Sequence, residues 1–302
     1  MGEEDGDVGG GRSVWRSGGI GWAGGAPGLR WWGGRVSPVA YGRPLALRAA
    51  GGRACAGVRG NPCPTGAAVP ERSTGGLCPE CARLDRAHSV AADTFADDPR
   101  PYRVYLAWFG PGTVKVGITG EHRGSVRLLE QGAVAFCWLG RGPLMAARRT
   151  EEVLRQALGV PDRVPYERKR ALRVAPPDAA ARRGEIEELY GRALGVGGWG
   201  ETLEALPFAA YDHGDAFGLG ELPALDGTVT GLVDGGTVTG RVLAAAGPDL
   251  HLRDPGGRHL VLDGRLLAGW GLERAAEDDP WSVPVAPAPR EADARTGQEG
   301  LF

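Results

Sequence analysis

Four cysteines in the first third of the chain have the residue type and spacing of a metal site. Cys78 and Cys81 form the sequence C-P-E-C, in which two thiolates separated by two residues can bind one tetrahedral zinc ion. Cys55 and Cys63 lie upstream in the same segment and bring the number of sulfur ligands to four. We therefore predict that these four side chains form a structural Zn²⁺ site.

The cysteine spacing leaves other interpretations open. Cys55 and Cys63 enclose seven residues, whereas a second knuckle would enclose two, and His88 is a further candidate ligand. A knuckle without metal and a redox-active pair are the alternatives to zinc. Cys137 lies within an apolar strand pattern, so we expect it to be a small core residue.

The segment VYLAWFGPGTVKVGIT, residues 104–119, has the pattern of a β-hairpin. Two apolar strands meet at Gly-Pro-Gly, and alternation in the second strand places Lys115 and Gly117 on one face. Tyr105 shares that face in only one of the two possible strand registers, because a slip of one residue reverses every side chain. The alternative is that Tyr105 is a half-buried strand tyrosine without a chemical role.

A helix is predicted from about Leu144 to Gly159, and its phase separates two neighbouring glutamates. Glu151 lies on the apolar stripe of the helix, whereas Glu152 lies on the solvated face. The other members of the stripe are Leu144, Ala147, Leu154 and Leu158. An inward carboxylate is costly unless it is paired or bound to a metal, so Glu151 is a candidate ligand. A salt bridge with Arg127 or Arg148 is the alternative.

The net charge of −2 hides a strong asymmetry along the chain. Residues 101–173 hold 13 basic and six acidic residues, whereas residues 174–302 hold 10 basic and 21 acidic ones. A locally basic segment suits the phosphates of DNA or RNA, and we expect Arg168, Lys169 and Arg170 to contact them. The alternative is that the acidic C-terminal half packs on the basic middle and neutralises it.

The composition predicts a globular chain without a membrane partner. No run of about 18 apolar residues occurs, and the acidic start MGEEDGDVGG lacks the pattern of a signal peptide. We therefore expect a cytoplasmic protein, in which five cysteines do not form a disulfide framework.

The predicted fold class is α+β, with helices in the middle and strands towards both ends. We expect Trp31 and Trp32 to be core residues of the N-terminal strands, with a ligand-binding platform as the alternative. The predicted segments are a disordered leader (1–13), an N-terminal β-rich segment (14–50), the cysteine cluster (51–99), a hairpin-and-helix core with following helices (100–200), a small antiparallel β domain (201–276) and a disordered tail (277–302).

The middle of the chain resembles a known nuclease core. V-Y-L-A, then K-V-G-I-T, then an arginine on a short helix and a glutamate on a later helix are similar to the GIY-YIG family. The whole stretch from about 50 to 175 resembles an uncharacterised group of actinobacterial proteins in which a cysteine cluster precedes such a core. The motifs C-x7-C-P, C-P-E-C, Y-L-A-W-F-G-P-G-x-V-K-V-G-I-T and R-L-L-E-Q-G-A carry that resemblance.

The resemblance implies roles for particular residues. Tyr105 corresponds to the tyrosine of the first motif, and Lys115 stands where the family has its second tyrosine. Arg127 corresponds to the arginine that contacts phosphate, and Glu151 to the ligand of a single Mg²⁺ or Mn²⁺. Gln131 stands where these nucleases often have His or Tyr.

Two functions of different classes follow from these residues. The first is a nucleic-acid-binding protein, with metal-dependent phosphodiester cleavage as its possible activity, in which Tyr105 or Lys115 positions or deprotonates water. The second is a structural or protein-interaction protein that has no catalytic site.

Overall fold

The computed structural model describes residues 13–58, 60–87, 98–161, 163–199, 203–220 and 222–288. The described helices, α1 to α6, are Pro79–Ala87, Val126–Gln131, Leu144–Leu158, Tyr166–Arg173, Ala179–Leu194 and Gly214–Phe217. The described strands, β1 to β15, are Trp15–Ala23, Ala26–Trp31, Val36–Pro38, Pro44–Ala50, Tyr102–Gly110, Thr113–Gly120, Ala135–Gly142, Glu204–Ala205, Ala210–Asp212, Gly227–Val229, Thr237–Ala246, Asp249–Arg253, His259–Asp263, Gly271–Arg274 and Val285–Pro287. The predicted α+β class is confirmed, and most of the regular structure is sheet.

The larger sheet joins the two ends of the described chain. Its strand order is β15-β10-β13-β12-β11-β4-β14-β1-β2-β3, and its pairs are antiparallel except β10 with β13. The N-terminal strands therefore pair with strands more than two hundred residues later, as when Trp15 faces Leu272. The segments 14–50 and 201–276, which we expected to be separate units, both contribute strands to this sheet.

The smaller sheet contains the predicted hairpin. β5 and β6 are its arms, β7 lies on the other side of β5, and the short strands β8 and β9 both pair with β7. One face of β5 packs into the main core together with α3 and α5, through residues such as Leu106, Leu154 and Ile186. The opposite face packs against α2 and α4 in a second apolar cluster that includes Tyr105 and Leu128.

Helix α3 has the predicted bounds because its sequence contains both an apolar stripe and a stop signal. Its buried side chains are Leu144, Ala147, Thr150 and Leu154. The helix ends at Gly159, whose φ of 65° is in the left-handed region that glycine adopts at low cost. Its last turn therefore lies where the sequence places it.

Helix α4 connects the two sheets through buried ion pairs. Asp249 is fully buried; its Oδ1 atom accepts hydrogen bonds from Arg170, and its Oδ2 atom accepts one from Arg173 at 2.9 Å. Arg170 also pairs with Asp263 at 2.8 Å. Basic residues of the middle segment are thus neutralised by acidic residues of the C-terminal half.

The structure describes part of the predicted disordered tail, but of the predicted disordered leader it describes only residue 13. Residues 277–288 of the predicted disordered tail belong to the described structure and contain β15, which pairs with β10. That part of the tail prediction is wrong, because Val285 and its neighbours supply an edge strand. Residues 1–12 and 289–302 lie outside the described residues.

None of the helices in the described ranges combines the length and the apolar composition that a membrane-spanning helix requires.

Candidate functional site

The hairpin register puts Tyr105 and Lys115 on the same face of the smaller sheet. Tyr105 lies opposite Gly117, and Ala107 lies opposite Lys115. Directly paired residues of antiparallel strands project from the same side of the sheet. Of the two possible registers, the structure therefore has the one that places Tyr105 and Lys115 on the same face of the sheet.

Tyr105 is buried and its ring covers Gly117. The side chain is only 1% exposed, and a Cβ atom built on Gly117 would lie 2.3 Å from both Cζ and Oη of the tyrosine. Leu128 of α2 and Trp138 of β7 belong to the same apolar cluster. Glycine at position 117 is therefore what allows the ring to lie flat across the neighbouring strand.

Three polar groups from two helices, α2 and α3, act on the Tyr105 hydroxyl. Gln131 Nε2 donates a hydrogen bond to it at 3.0 Å. Burial raises the pKa of Tyr105 to about 12, while Gln131 and the Arg127 guanidinium lower it and the Glu151 carboxylate raises it further. Arg127 and Glu151 thus both lie within electrostatic range of the phenol.

The two glutamates of α3 have different surroundings. Glu151 is half-buried at the border of the apolar stripe, whose buried centre is occupied by Thr150. Glu152 is exposed and accepts hydrogen bonds from Arg155 and Gln156, and these bonds lower its pKa. Glu151 is therefore the glutamate with access to the Tyr105 side of the helix.

Arg127 is the most accessible member of this group. Its side chain is about half exposed, and its contact with Glu130 is long, at 3.7 Å. Glu130 makes a shorter ion pair with Arg123, at 2.8 Å. The Arg127 guanidinium is consequently placed so that it can also contact an anion from solvent.

Lys169 does not face solvent; it is buried and contacts the end of α2. Its Nζ atom donates to the Gln131 carbonyl at 2.9 Å and lies 4.1 Å from the ring centroid of Phe109. Burial, with help from the charges of Arg173 and Lys115, lowers the pKa of Lys169 to about 7. Lys169 therefore holds the end of α2, where Gln131 contacts Tyr105.

The three basic residues that we expected on a phosphate-binding surface have different positions. Arg168 is exposed, and its Nε atom donates to Thr113 Oγ1 at 3.1 Å. Lys169 and Arg170 are buried, and Arg170 is paired with Asp249 and Asp263. For those two residues the expected contact with phosphate is wrong, because Arg170 already pairs with carboxylates of the larger sheet and Lys169 is buried against Phe109 and the Gln131 carbonyl.

The four cysteines of the predicted zinc site lie together. Their Sγ atoms are all within 4.8 Å of one another, and Cys63 Sγ lies 4.0 Å from Cys78 Sγ. Sulfur atoms around a tetrahedral zinc are about 3.8 Å apart, given Zn–S bonds of about 2.3 Å. The cluster therefore fits a zinc ion after a small contraction, and His88 lies outside the described residues.

Backbone N–H groups around the cluster donate hydrogen bonds to a cysteine sulfur atom. Cys55 Sγ accepts hydrogen bonds from the backbone N–H groups of Cys78, at 3.1 Å, and Gly57, at 3.5 Å. Hydrogen bonds from Thr65 and Ala67 lower the pKa of Cys63 to about 6, whereas burial raises that of Cys81 to about 12. A bound cation would supply the charge that ionises all four thiols.

The cluster is attached to the larger sheet through Arg53. This buried guanidinium donates to the carbonyl oxygens of Pro70 and Ser73 on the cysteine side, and to those of Arg265 and Ala268 on the sheet side.

The predicted core residue Cys137 is fully buried in β7, and burial raises its pKa to about 12. Of the five cysteines, Cys137 therefore lies outside the metal-binding cluster.

A family model described as "Protein of unknown function (DUF2797)" matches residues 42–272. The match spans most of the chain and includes the cysteine cluster, the hairpin and α3. The chain belongs to this family. No curated protein and no solved structure matches it. The family description assigns no activity, and strands β1 to β3 precede the matched region.

Proposed function

We propose that the protein binds nucleic acid at the surface of Arg127, Gln131 and Glu151 above the buried ring of Tyr105, and we call these four residues the hairpin site. The observation that supports this proposal is the convergence of a guanidinium and an amide from α2 and a carboxylate from α3 on one phenol. Such a group is costly to assemble for packing alone, because two of its members carry charge beside a buried tyrosine.

Arg127 is the residue that would contact the phosphate backbone. Its side chain is half exposed, and a guanidinium can donate two parallel hydrogen bonds to phosphate. Lys115 and the exposed Arg168 add positive charge on the same part of the chain. We therefore expect binding to weaken steeply as salt is raised.

Metal-dependent cleavage of the bound nucleic acid is a more specific version of the proposal. Glu151 would hold Mg²⁺ or Mn²⁺, which lowers the pKa of bound water and polarises a phosphoryl oxygen. Tyr105 is poorly suited to act as a general base, because a phenol with a pKa near 12 stays protonated at neutral pH and its ring is buried. In this chain its role would be to fix Gln131 and the hairpin, so binding has more support than cleavage.

Binding can be tested with labelled single-stranded DNA, duplex DNA and RNA at about 50 and about 200 mM salt. Arg127→Ala should weaken binding and reduce the salt slope by about 0.7 to 0.9. Arg149→Ala is the matched control, because Arg149 is an exposed arginine on α3. Equal effects of the two substitutions would contradict a specific contact at Arg127.

Cleavage is tested by incubating the same substrates with and without Mg²⁺ or Mn²⁺. Glu151→Gln should abolish both divalent-ion binding and any cleavage, whereas Glu152→Gln should change neither. If Glu151 is instead half of a salt bridge, Glu151→Gln will lower stability without changing metal dependence.

A structural or protein-interaction role is the second candidate, and the ion pairs of α4 favour it. Arg170 and Arg173 are neutralised by Asp249 and Asp263, so part of the basic charge is used inside the protein. This role predicts no binding of nucleic acid even at about 50 mM salt.

A further inference from the structure

Strands β1 to β3 present an exposed aromatic and basic surface that the hairpin site does not use. We call it the Trp-Arg surface, and it consists of Trp15, Trp32 and Arg35. Trp15 is 43% exposed and Trp32 is 36% exposed. Tryptophan is highly buried on average, so two such side chains at one end of a sheet call for a reason. The expectation that Trp32 is a core residue is wrong.

Backbone hydrogen bonds hold the aromatic part of this surface in place. Trp31 N donates to Arg35 O at 2.9 Å, which closes the turn between β2 and β3. Trp32 N donates to Arg16 O at 2.9 Å, which attaches the turn to β1. The guanidinium carbon of Arg35 lies 5.1 Å from the centroid of a Trp15 ring. Trp15, Trp32 and Arg35 are thus assembled before any partner arrives.

The opposite face of β2 and β3 carries Arg30 and Val36, because Trp31 and Arg30 alternate along β2 and Trp31 pairs with Ser17. Arg30 lies across Gly21, where an added Cβ would be only 2.1 Å from its Nε atom, and Val36 lies across Gly28. Arg30 Nη2 donates to Ile20 O at 3.3 Å, which keeps the guanidinium along the sheet.

The charge of this part of the chain selects an anionic partner. Residues 13–50 contain five arginines and no aspartate or glutamate. Arg48 is paired with Asp279 at 2.8 Å, whereas Arg30 and Arg35 are exposed. Proteins that bind single strands combine a positive surface for the backbone with aromatic side chains on which bases stack.

We propose that the Trp-Arg surface binds unpaired bases of a single-stranded nucleic acid. Trp15 and Trp32 would stack with bases, and Arg35 would contact phosphates. Strand β1 also contacts α2, the helix that carries Arg127. This surface is distinct from the hairpin site, and its residues precede the region that the family model matches.

The test is fluorescence anisotropy of a labelled oligothymidylate and of a duplex of equal length, with the full chain. Trp15→Ala and Trp32→Ala should each weaken binding of the single strand by about five- to a hundred-fold. Trp15→Phe should restore most of the affinity, because it keeps an aromatic ring. Met145→Ala is the control, since Met145 is 50% exposed on α3. Unfolding midpoints of all variants verify that each one folds.

The outcomes separate this proposal from that for the hairpin site. Loss of single-strand binding in the tryptophan variants, with no effect of Arg127→Ala, would support the Trp-Arg surface and count against the hairpin site. Unchanged single-strand binding in both tryptophan variants would overturn the proposal. Binding to phosphatidylserine vesicles that Trp15→Ala abolishes, without binding to oligothymidylate, would identify a membrane-facing surface and also overturn it.

Discussion

The ring of Tyr105 lies across Gly117 of the neighbouring strand, leaving no space for even a methyl group at that position. The ring cannot move aside easily, because it is buried and its hydroxyl accepts a hydrogen bond from Gln131. The glycine is thus part of the hairpin site, although it contributes no chemical group.

Gly117→Ala should destabilise the protein by about 1 to 3 kcal/mol, which is typical of overpacking. Chemical denaturation measures the change. Gly184→Ala is the matched control, because Gly184 is an exposed helix residue with open space around it. That substitution should stabilise by up to about 1 kcal/mol. A neutral result for Gly117→Ala would mean that Tyr105 has room to move.

Local sequence signals were enough to predict the hairpin, α2, α3 and the cysteine cluster. Helical phase also distinguished Glu151 from Glu152, although Thr150 occupies the buried centre of the stripe. The hairpin register could not be predicted, because alternation alone allows two registers that differ by one residue. The contact between Gln131 and Tyr105 had only a weak signal, namely the position of Gln131 within the nuclease-like pattern.

The joining of the two ends into one sheet could not be predicted from local patterns. Strand partners such as Trp15 and Leu272 are distant in sequence, and many strands have similar alternation. The burial of Arg170 has the same cause, since its partner Asp249 lies 79 residues away. Charge asymmetry indicated only that the two segments could attract each other, with nucleic acid as an equally good explanation.

The buried carboxylate of Asp249 should be essential for stability. Asp249→Asn keeps the shape of the side chain but leaves Arg173 without a counter-charge in a fully buried position. Breaking such a pair costs about 3 to 5 kcal/mol. The free energy of unfolding in urea measures the loss. Glu187→Gln, which affects the exposed 3.8 Å pair with Arg183, should change stability by less than about 1 kcal/mol.

The cysteine cluster should contain about one zinc per chain, as measured by elemental analysis of the purified protein. Cys78→Ser should remove the metal and lower the unfolding temperature, because zinc binding contributes directly to folding. Cys137→Ala is the control, since this buried thiol lies in β7 outside the cluster. Full metal content in Cys78→Ser, or no metal in the unmodified protein, would contradict a four-cysteine zinc site.

The pH dependence of stability should identify Lys169 as a buried amine. Burial lowers its pKa to about 7 in the folded protein, whereas the carbonyl of Gln131 and the ring of Phe109 favour the charged form. In the unfolded chain an ordinary lysine has a pKa of about 10.4, so between about pH 7 and pH 10 the unfolded state binds one more proton. Stability must then rise with pH across this window. Lys169→Met should remove that rise, as measured by urea denaturation at several pH values. A lysine that remains charged in the folded state would instead give the same pH dependence in both proteins.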